Sequence, residues 1–108
     1  MKYFEVHGRK VQGTWELRAA KILVSWQIAG KIKDWQHGIT RVPYLDINGV
    51  SRTYIVDFTV TMNNGQKYLI EVKGRVVEND KLKWEAARKI ADLEIWNLET
   101  IKLHETSI

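Results

Sequence analysis

The sequence contains no cysteine, one proline and no long run of apolar residues among its 108 residues. Without cysteine, the chain cannot form a disulfide and offers no thiolate ligand to a metal. No stretch of about 18 apolar residues occurs, so no transmembrane helix is predicted. The amino-terminal stretch MKYFEVHGRK lacks the apolar segment of a signal peptide. Together these absences favour a cytoplasmic protein.

The residues that are present predict a packed globular domain. Hydrophobic residues make up 44% of the chain and include five tryptophans. A chain of this length can bury one modest core, so we expect a single domain over residues 1–108. The formal net charge of +4 is compatible with a nucleic-acid partner but does not identify one.

A first helix is predicted from about Trp15 to Ala29, with Thr14 as its N-cap and Gly30 as its left-handed stop. Its apolar residues fall into two stripes on nearly opposite sides. The stripes contain Leu17, Ala20, Val24 and Ile28 on one side, and Trp15, Ile22 and Trp26 on the other. The second stripe needs a cover, which is either another layer of the same domain or a second subunit.

Two Asn-Gly pairs, at 48–49 and 64–65, predict hairpin turns. They join predicted strands over about residues 39–47, 51–62 and 67–77, which would form an antiparallel meander. Further along the chain, Asn79 or Asp80 is predicted to cap a second helix ending near Ala91, and residues 93–99 to form a last strand. The order α-β-β-β-α-β predicts an α/β or α+β domain with one mixed sheet flanked by helices.

The hairpin YIVDFTVTMNNGQKYLIEVKG, residues 54–74, carries charge inside otherwise apolar strands. Side chains alternate along a strand, so the even-numbered positions form an apolar face. Asp57, Glu71 and Lys73 share the odd-numbered face. A three-residue loop at Asn63-Asn64-Gly65, with its glycine left-handed, would place Asp57 directly opposite Glu71, whereas a two-residue loop would mix the faces.

Two opposed carboxylates about 5 Å apart repel by about 3 kcal/mol at an effective dielectric constant of about 20. A shared proton, a protein cation such as Lys73, or a bound hard divalent ion such as Mg²⁺ would relieve this repulsion. The residues alone therefore leave two interpretations open. One is a metal site, and the other is a cross-strand cluster on a solvated face in which Lys73 pairs with Glu71.

Asp57, a spacer of thirteen residues and the run Glu71-Val72-Lys73 resemble the motif of the PD-(D/E)XK nuclease superfamily. The acidic strand follows VPY, the EVKG strand leads through GRVVENDKLKWEAA into a lysine-rich helix, and GTWELRAA places an acid in the first helix. This order is similar to small phage-type nucleases, which include junction-resolving endonucleases, endonuclease subunits of heteromeric transposases and free-standing homing endonucleases. The resemblance covers about residues 13–100, with Val56 in place of the proline of the motif.

The resemblance implies a restriction-endonuclease-like core and an Mg²⁺-dependent DNA endonuclease, with Mn²⁺ as a substitute ion and with neither a membrane nor a small-molecule cofactor as partner. Asp57, Glu71 and the Val72 carbonyl would hold the metal. Glu16 would complete the acidic set, although a glutamate in a first helical turn is also explained by the helix dipole. Lys73 would orient or deprotonate the attacking water and stabilise charge on the phosphate.

Several basic residues are candidates for DNA contacts, because lysine and arginine neutralise the phosphate backbone. The candidates are Arg9, Lys10, Arg75, Lys81, Lys83, Arg88 and Lys89, and Lys31 and Lys33 could extend them. An ordinary solvated face explains the charges of the second helix equally well. Its inward stripe is predicted to contain Leu82, Ala86, Ile90 and Leu93. The three histidines, His7, His37 and His104, lack metal-ligand spacing and are interpreted as ordinary surface or loop residues.

Cutting both strands of a duplex or junction requires two active sites, so we expect a homodimer. The stripe of Trp15, Ile22 and Trp26 is the predicted interface, and strands intertwined at the hairpins are the alternative. Two other interpretations stay open. One is a non-catalytic nucleic-acid-binding module, against which the acidic face argues because it would repel phosphates. The other is a catalytic subunit that works only inside a larger transposition or packaging complex.

Overall fold

The computed structural model describes residues 2–108, which form eight strands and three helices. In chain order these are β1 (Tyr3–Val6), β2 (Arg9–Gln12), α1 (Gly13–Ile28), β3 (Asp34–His37), β4 (Arg41–Leu45), β5 (Ser51–Ile55), β6 (Phe58–Thr61), β7 (Lys67–Val72), α2 (Asp80–Arg88), β8 (Asp92–Trp96) and α3 (Leu98–Thr106). None of the helices within residues 2–108 is long and apolar enough to cross a membrane.

The centre of the molecule is a four-stranded mixed sheet in the order β3-β6-β7-β8. The pairs β3–β6 and β6–β7 are antiparallel, whereas β8 runs parallel to β7. Parallel neighbours need a crossover connection, and α2 supplies it between β7 and β8. This arrangement confirms the predicted mixed sheet and is consistent with an α/β fold of the restriction-endonuclease type.

The register of the β6–β7 pair agrees with the sequence prediction. Phe58 lies opposite Ile70 and Thr61 lies opposite Lys67. The Met62 N–H donates to the Gln66 carbonyl at 2.7 Å, which closes a three-residue loop between them. Gly65 has φ +87°, a left-handed conformation that glycine adopts without strain. The odd-length loop and the register that follows from it are confirmed.

The predicted continuous strand over 51–62 is wrong, because the chain bends at Val56 and Asp57. The Val56 N–H donates to the Thr40 carbonyl at 3.1 Å, and the Gly38 N–H donates to the Asp57 carbonyl at 3.0 Å. Before the bend, β5 pairs with β4 in a separate two-stranded hairpin, and after it β6 joins the central sheet. The three strands therefore do not form one meander, and the bend brings Asp57 to the start of β6.

Both faces of the central sheet are covered, and each cover has its own core. The larger core packs Trp35, Phe58, Ile70 and Trp96 of the sheet against Ala20 and Leu23 of α1 and Ile101 of α3. The smaller core joins the β4–β5 hairpin to α2 and contains Val42, Tyr54, Val56, Leu69, Trp84 and Ala87. Leu69 and Glu71, on the odd-numbered face, are thus both buried. The interpretation of the acidic cluster as part of a solvated face is wrong.

Two of the three residues in the second apolar stripe of α1, Ile22 and Trp26, are covered by the same chain. Ile22 is 1% exposed, and the Trp26 ring packs edge-on against Trp96 and His104, with centroid distances of 5.6 and 5.0 Å. His104 belongs to α3, and it is therefore not an ordinary surface or loop histidine. The prediction of a subunit interface is therefore wrong for Ile22 and Trp26, which pack within the chain, whereas Trp15 is 36% exposed.

The last strand was predicted over residues 93–99. In the structure it ends at Trp96, and the helix α3 begins at Leu98. The Asn97 side chain accepts a hydrogen bond from the Thr100 N–H at 2.9 Å and caps the helix. An ion pair between Arg18 and Glu105, with Nε to Oε2 at 2.9 Å, links α1 to α3. The Asn97-x-x-Thr100 pattern was therefore a capping signal that the sequence prediction missed.

Several element boundaries also differ from the prediction. The N-cap of α1 is Gln12 and not Thr14, while Gly30, with φ +77°, ends the helix region as predicted. The α2 helix ends at Arg88, before the predicted Ala91. Its buried residues are Asp80, Trp84 and Ala87, whereas Ile90 of the predicted inward stripe is exposed. The β1–β2 hairpin and β3 were not predicted, since strands of four residues carry a weak periodic signal.

The packing of α3 against α1 and the sheet makes a testable contribution to stability. We expect Ile101→Ala to lower the free energy of unfolding by about 2–4 kcal/mol, because it removes a fully buried aliphatic side chain. Leu103→Ala on the same helix is the matched control, with an expected change within about 0.5 kcal/mol, since Leu103 is 67% exposed. Urea unfolding followed by tryptophan fluorescence measures both, and equal effects would contradict the described packing.

Candidate metal centre

Asp57 lies where the chain enters β6, next to the end of β7. Its Oδ2 accepts a hydrogen bond from the Val72 N–H at 2.8 Å. Its carbonyl accepts the Gly38 N–H that follows β3. Asp57 is therefore held by backbone groups from both neighbouring strands of the central sheet, which fixes the position of its carboxylate at one end of the sheet.

Glu71 is the acidic residue on β7 and is only 7% exposed. Its Oε1 is buried and has no hydrogen-bond partner within residues 2–108. The Tyr54 hydroxyl is also buried, and it lies close enough to Glu71 for the two groups to shift each other's pKa, although no hydrogen bond of good geometry joins them. A buried carboxylate oxygen without a donor is energetically unfavourable. This oxygen is therefore available to a ligand from outside the chain.

Glu16, from the first turn of α1, reaches the same end of the sheet. Its Oε1 accepts the Gln12 N–H at 3.1 Å and lies 2.7 Å from His37 Nε2. One ligand atom each from Glu16, His37 and Asp57 lie within 4.8 Å of one another. The helix acid thus approaches Asp57 as predicted from the sequence. His37 is the unexpected member, and its interpretation as an ordinary surface or loop residue is wrong.

Burial and like charge make the acidic cluster electrostatically unfavourable when it is fully ionised. Burial raises the pKa of Asp57 to about 9, with the carboxylates of Glu71 and Glu16 adding to the shift. Burial also raises the pKa of Glu71, and interactions of its carboxylate with Asp57 and with the Tyr54 hydroxyl, followed by the charge of Lys73, oppose that shift in part. Burial and the charge of Glu71 raise the pKa of the Tyr54 hydroxyl as well. The site would therefore gain from a bound cation or from protons.

Lys73 follows β7 and makes its ion pair with Asp80 rather than with Glu71. Its Nζ lies 3.3 Å from Asp80 Oδ2, and Asp80 is fully buried at the start of α2. Asp80 Oδ2 also accepts the Val77 N–H at 2.7 Å, and Lys83 Nζ lies 3.8 Å from Asp80 Oδ1. Asp80 therefore anchors both the lysine of the motif and the loop that follows it. The predicted role of Asp80 was only that of a possible cap.

An open cleft of about 270 Å³ lies beside the acidic cluster. It is lined by residues 12–16 of the start of α1 and by Val72 of β7. The Trp15 indole, 36% exposed, forms one wall and lies against the backbone of Gly74. A Cβ atom at position 74 would collide with this ring, which explains the glycine after Lys73 in the EVKG run. The cleft meets the cluster at Glu16.

The predicted DNA-contact residues fall into two groups. Arg9 donates to Asp34 Oδ1 at 2.6 Å and lies over the Trp35 ring, 4.6 Å from its centre. The Lys10 ammonium lies 4.5 Å from the centre of the Tyr3 ring, and Lys83 reaches Asp80 as described above. These three side chains have contacts within the protein. The exposed group contains Arg75, Lys81, Arg88 and Lys89.

Two residues of this site were not predicted, and the reason differs for each. His37 lies twenty residues before Asp57 in sequence, and only the pairing of β3 with β6 brings the two together. Asp80 carried a local signal, since an acid at the start of a helix after a motif lysine can reach back to it. His7 lies in the turn between β1 and β2 and is exposed, in agreement with the prediction for that histidine.

The comparisons with known proteins agree with this geometry. A family model described as TnsA-like endonuclease N terminal matches residues 29–102, which contain His37, Asp57, Glu71, Lys73 and Asp80. No curated protein and no solved structure gives a significant match. The family model covers more than half of the chain and confirms the resemblance to the PD-(D/E)XK superfamily. The chain therefore belongs to the TnsA-like endonuclease N-terminal family, part of the PD-(D/E)XK-type transposase endonuclease subunits.

Proposed function

We propose that the protein is an Mg²⁺-dependent DNA endonuclease that hydrolyses phosphodiester bonds, with Mn²⁺ as a substitute ion. The observation that carries this proposal is the approach of half-buried Asp57 to buried Glu71 at the sheet end, in a domain whose family is one of endonucleases. The proposed ligands are Asp57, Glu71, Glu16 and the Val72 carbonyl. The proposed substrate is branched or duplex DNA, and the proposed origin is a phage or another mobile element.

The residues fit a hard divalent ion. Buried Glu71 Oε1 has no donor within residues 2–108, and carboxylate oxygens are ligands that Mg²⁺ prefers. The ion pair of Lys73 with Asp80 holds this lysine at another acid, so its charge opposes the shift at Glu71 only in part. A bound Mg²⁺ would supply a Lewis acid that favours ionisation of water and neutralises charge on the phosphate.

Lys73 is proposed as the residue that orients or deprotonates the attacking water and stabilises charge on the phosphate. Lys73 lies one residue beyond Val72, at the end of β7, and its ammonium is restrained by the ion pair with Asp80. Fixing a long lysine side chain in advance lowers the entropy lost when substrate binds. Asp80 is therefore proposed as a positioning residue for Lys73.

Two assemblies are compatible with this chemistry. Cutting both strands of a duplex requires two active sites, for which a homodimer is the simplest arrangement. The family, one of transposase endonuclease subunits, supports a second candidate, a catalytic subunit that is active only in a larger DNA-processing complex. Both assemblies would act in the cytoplasm, and in the host cytoplasm if the protein is encoded by a phage.

Substitution of the motif lysine tests the catalytic proposal. We expect Lys73→Ala to lower the Mg²⁺-dependent cleavage rate by about 10²–10⁴-fold, because it removes a group that acts on the attacking water. DNA affinity should change little. Lys67→Ala is the matched control, since Lys67 is exposed at the other end of the same strand. Cleavage of labelled junction, linear duplex and single-stranded DNA measures the rates, and gel-shift titration measures the affinity.

The outcomes of this experiment separate the competing functions. Cleavage by the wild type that is lost in Lys73→Ala supports the enzyme. DNA binding without cleavage by either protein contradicts an endonuclease that is active alone. Chromatographic sizing with and without DNA then distinguishes a homodimer from a chain that stays monomeric and depends on a larger complex.

The pKa of Asp57 predicts a pH-dependent effect on stability in the absence of metal. Folding raises this pKa from 3.8 to about 9. Between pH 3.8 and about pH 9 the folded protein therefore binds a proton that the unfolded chain has lost, and the free energy of unfolding falls as the pH rises. We therefore expect Asp57→Asn to increase the free energy of unfolding at about pH 8 by about 1–3 kcal/mol. The gain should shrink as the pH falls to about 4.

Urea unfolding in EDTA across this pH range measures the effect. Glu5→Gln is the control, because Glu5 is an exposed acid on β1. Added Mg²⁺ should stabilise the wild type more than Asp57→Asn, since the variant lacks one proposed ligand. A stability gain that is the same at every pH would contradict the proposed crowding of carboxylates.

The exposed basic residues of α2 predict a salt-dependent contribution to DNA binding. Each phosphate contact lowers the slope of log affinity against log salt concentration by about 0.9. If Lys81 and Arg88 both contact phosphates, the Lys81→Ala/Arg88→Ala double variant should reduce the slope magnitude by about 1.8 while leaving the cleavage rate at saturating DNA unchanged. Titrations at several salt concentrations measure this, with Lys67→Ala as control. An unchanged slope would assign these charges to an ordinary solvated face.

A further inference from the structure

The imidazole of His37 lies inside the acidic cluster. Its Nε2 is 2.7 Å from Glu16 Oε1, and its side chain is only 20% exposed. Ligand atoms of His37, Glu16 and Asp57 lie within 4.8 Å of one another. The three residues come from different parts of the chain, namely the last residue of β3, the first turn of α1 and the connection before β6. The cluster is thus a product of the tertiary fold.

The fold holds this imidazole in place independently of any ligand. His37 pairs with Phe58 across the β3–β6 ladder, and its ring packs edge-on against the Phe58 ring with centroids 5.2 Å apart. The next residue, Gly38, donates its N–H to the Asp57 carbonyl at 3.0 Å. The strand that carries the histidine is therefore hydrogen-bonded to the backbone of the aspartate. Such preorganisation favours a specific role for the ring.

The hydrogen bond with Glu16 does not by itself account for the cluster. An imidazole that only oriented Glu16 would leave Asp57 and Glu71 relieved only by a proton and, in part, by Lys73, whose ion pair is with Asp80. Glu71 Oε1 remains buried without a donor in the described chain. The cluster therefore combines one imidazole nitrogen and several carboxylate oxygens in a small volume. This donor set suits a divalent metal with mixed nitrogen and oxygen ligands.

We propose that His37 is a nitrogen ligand of the metal bound at this site, together with Glu16 and Asp57. The inference rests on the proposed function in one respect, which is that the site binds a divalent ion. A histidine ligand adds a preference among metal ions that carboxylates alone would not give. Imidazole nitrogen favours first-row transition ions such as Co²⁺ and Ni²⁺, whereas Mg²⁺ prefers oxygen ligands. His37 therefore shifts the site toward transition ions.

Electron paramagnetic resonance of the full chain with Mn²⁺ tests this inference without an activity measurement. Electron spin-echo modulation should show a ¹⁴N coupling from a directly bound imidazole in the wild type. Labelling the histidines with ¹⁵N should replace it by a ¹⁵N coupling, which assigns the signal without any substitution. His37→Gln should lose the coupling, and His7→Gln should retain it, since His7 is exposed in the β1–β2 turn.

Metal titration gives a second measurement. His37→Gln can still donate a side-chain N–H to Glu16, so it preserves the positioning role but not the nitrogen ligand. We expect it to weaken Co²⁺ binding by about tenfold or more and to change Mg²⁺ binding less. Circular dichroism melting of each variant confirms that it is folded before the affinities are compared.

The possible failures are distinguishable. Mn²⁺ binding that is lost in Asp57→Asn but shows no histidine nitrogen coupling in the wild type overturns the role of His37 and leaves the proposed function in place. Equal losses of Co²⁺ and Mg²⁺ affinity in His37→Gln also overturn it. The absence of any Mn²⁺ binding that depends on Asp57 instead contradicts the proposed metal site itself.

Discussion

Asp57 and Glu71 lie together at the end of the β6–β7 pair, where burial disfavours charge on both. The backbone keeps them there, because the Val72 N–H donates to Asp57 and the strand register brings Glu71 beside it. Buried groups of like charge must be neutralised by protons or by a cation. The helix acid Glu16 adds to this requirement, and the imidazole of His37 and an open cleft lie beside the same group of carboxylates.

The two-sided cover of the sheet explains how so small a chain can hold a buried acidic site. On one face, α1 and α3 enclose the larger core, and on the other the β4–β5 hairpin and α2 enclose the smaller one. The site lies where α1 begins and β7 ends, at the margin between these layers. It is therefore partly withdrawn from water yet still open to a substrate. That position strengthens electrostatic interactions with a bound ion.

The loop from Lys73 to Asp80 links the proposed catalytic lysine to the second layer. Because Asp80 is fully buried, water and salt screen its ion pair with Lys73 less than they would screen a pair on the surface. The same carboxylate accepts the Val77 N–H, so the lysine, the loop and the start of α2 form one connected unit. The helix α2 therefore carries both the exposed basic residues and Asp80, the residue that restrains Lys73. In the proposed function, one helix would thus contact DNA and position the catalytic lysine.

The sequence by itself determined the β6–β7 hairpin, its three-residue loop and the approach of Asp57 to Glu71. These features depend on strand alternation and turn chemistry, which act over neighbouring residues. Only the tertiary structure decided that α3 covers Trp26, that the chain bends at Val56 and that His37 joins the cluster. These contacts join residues distant in sequence. Their free energy comes from packing between elements, which no local pattern encodes.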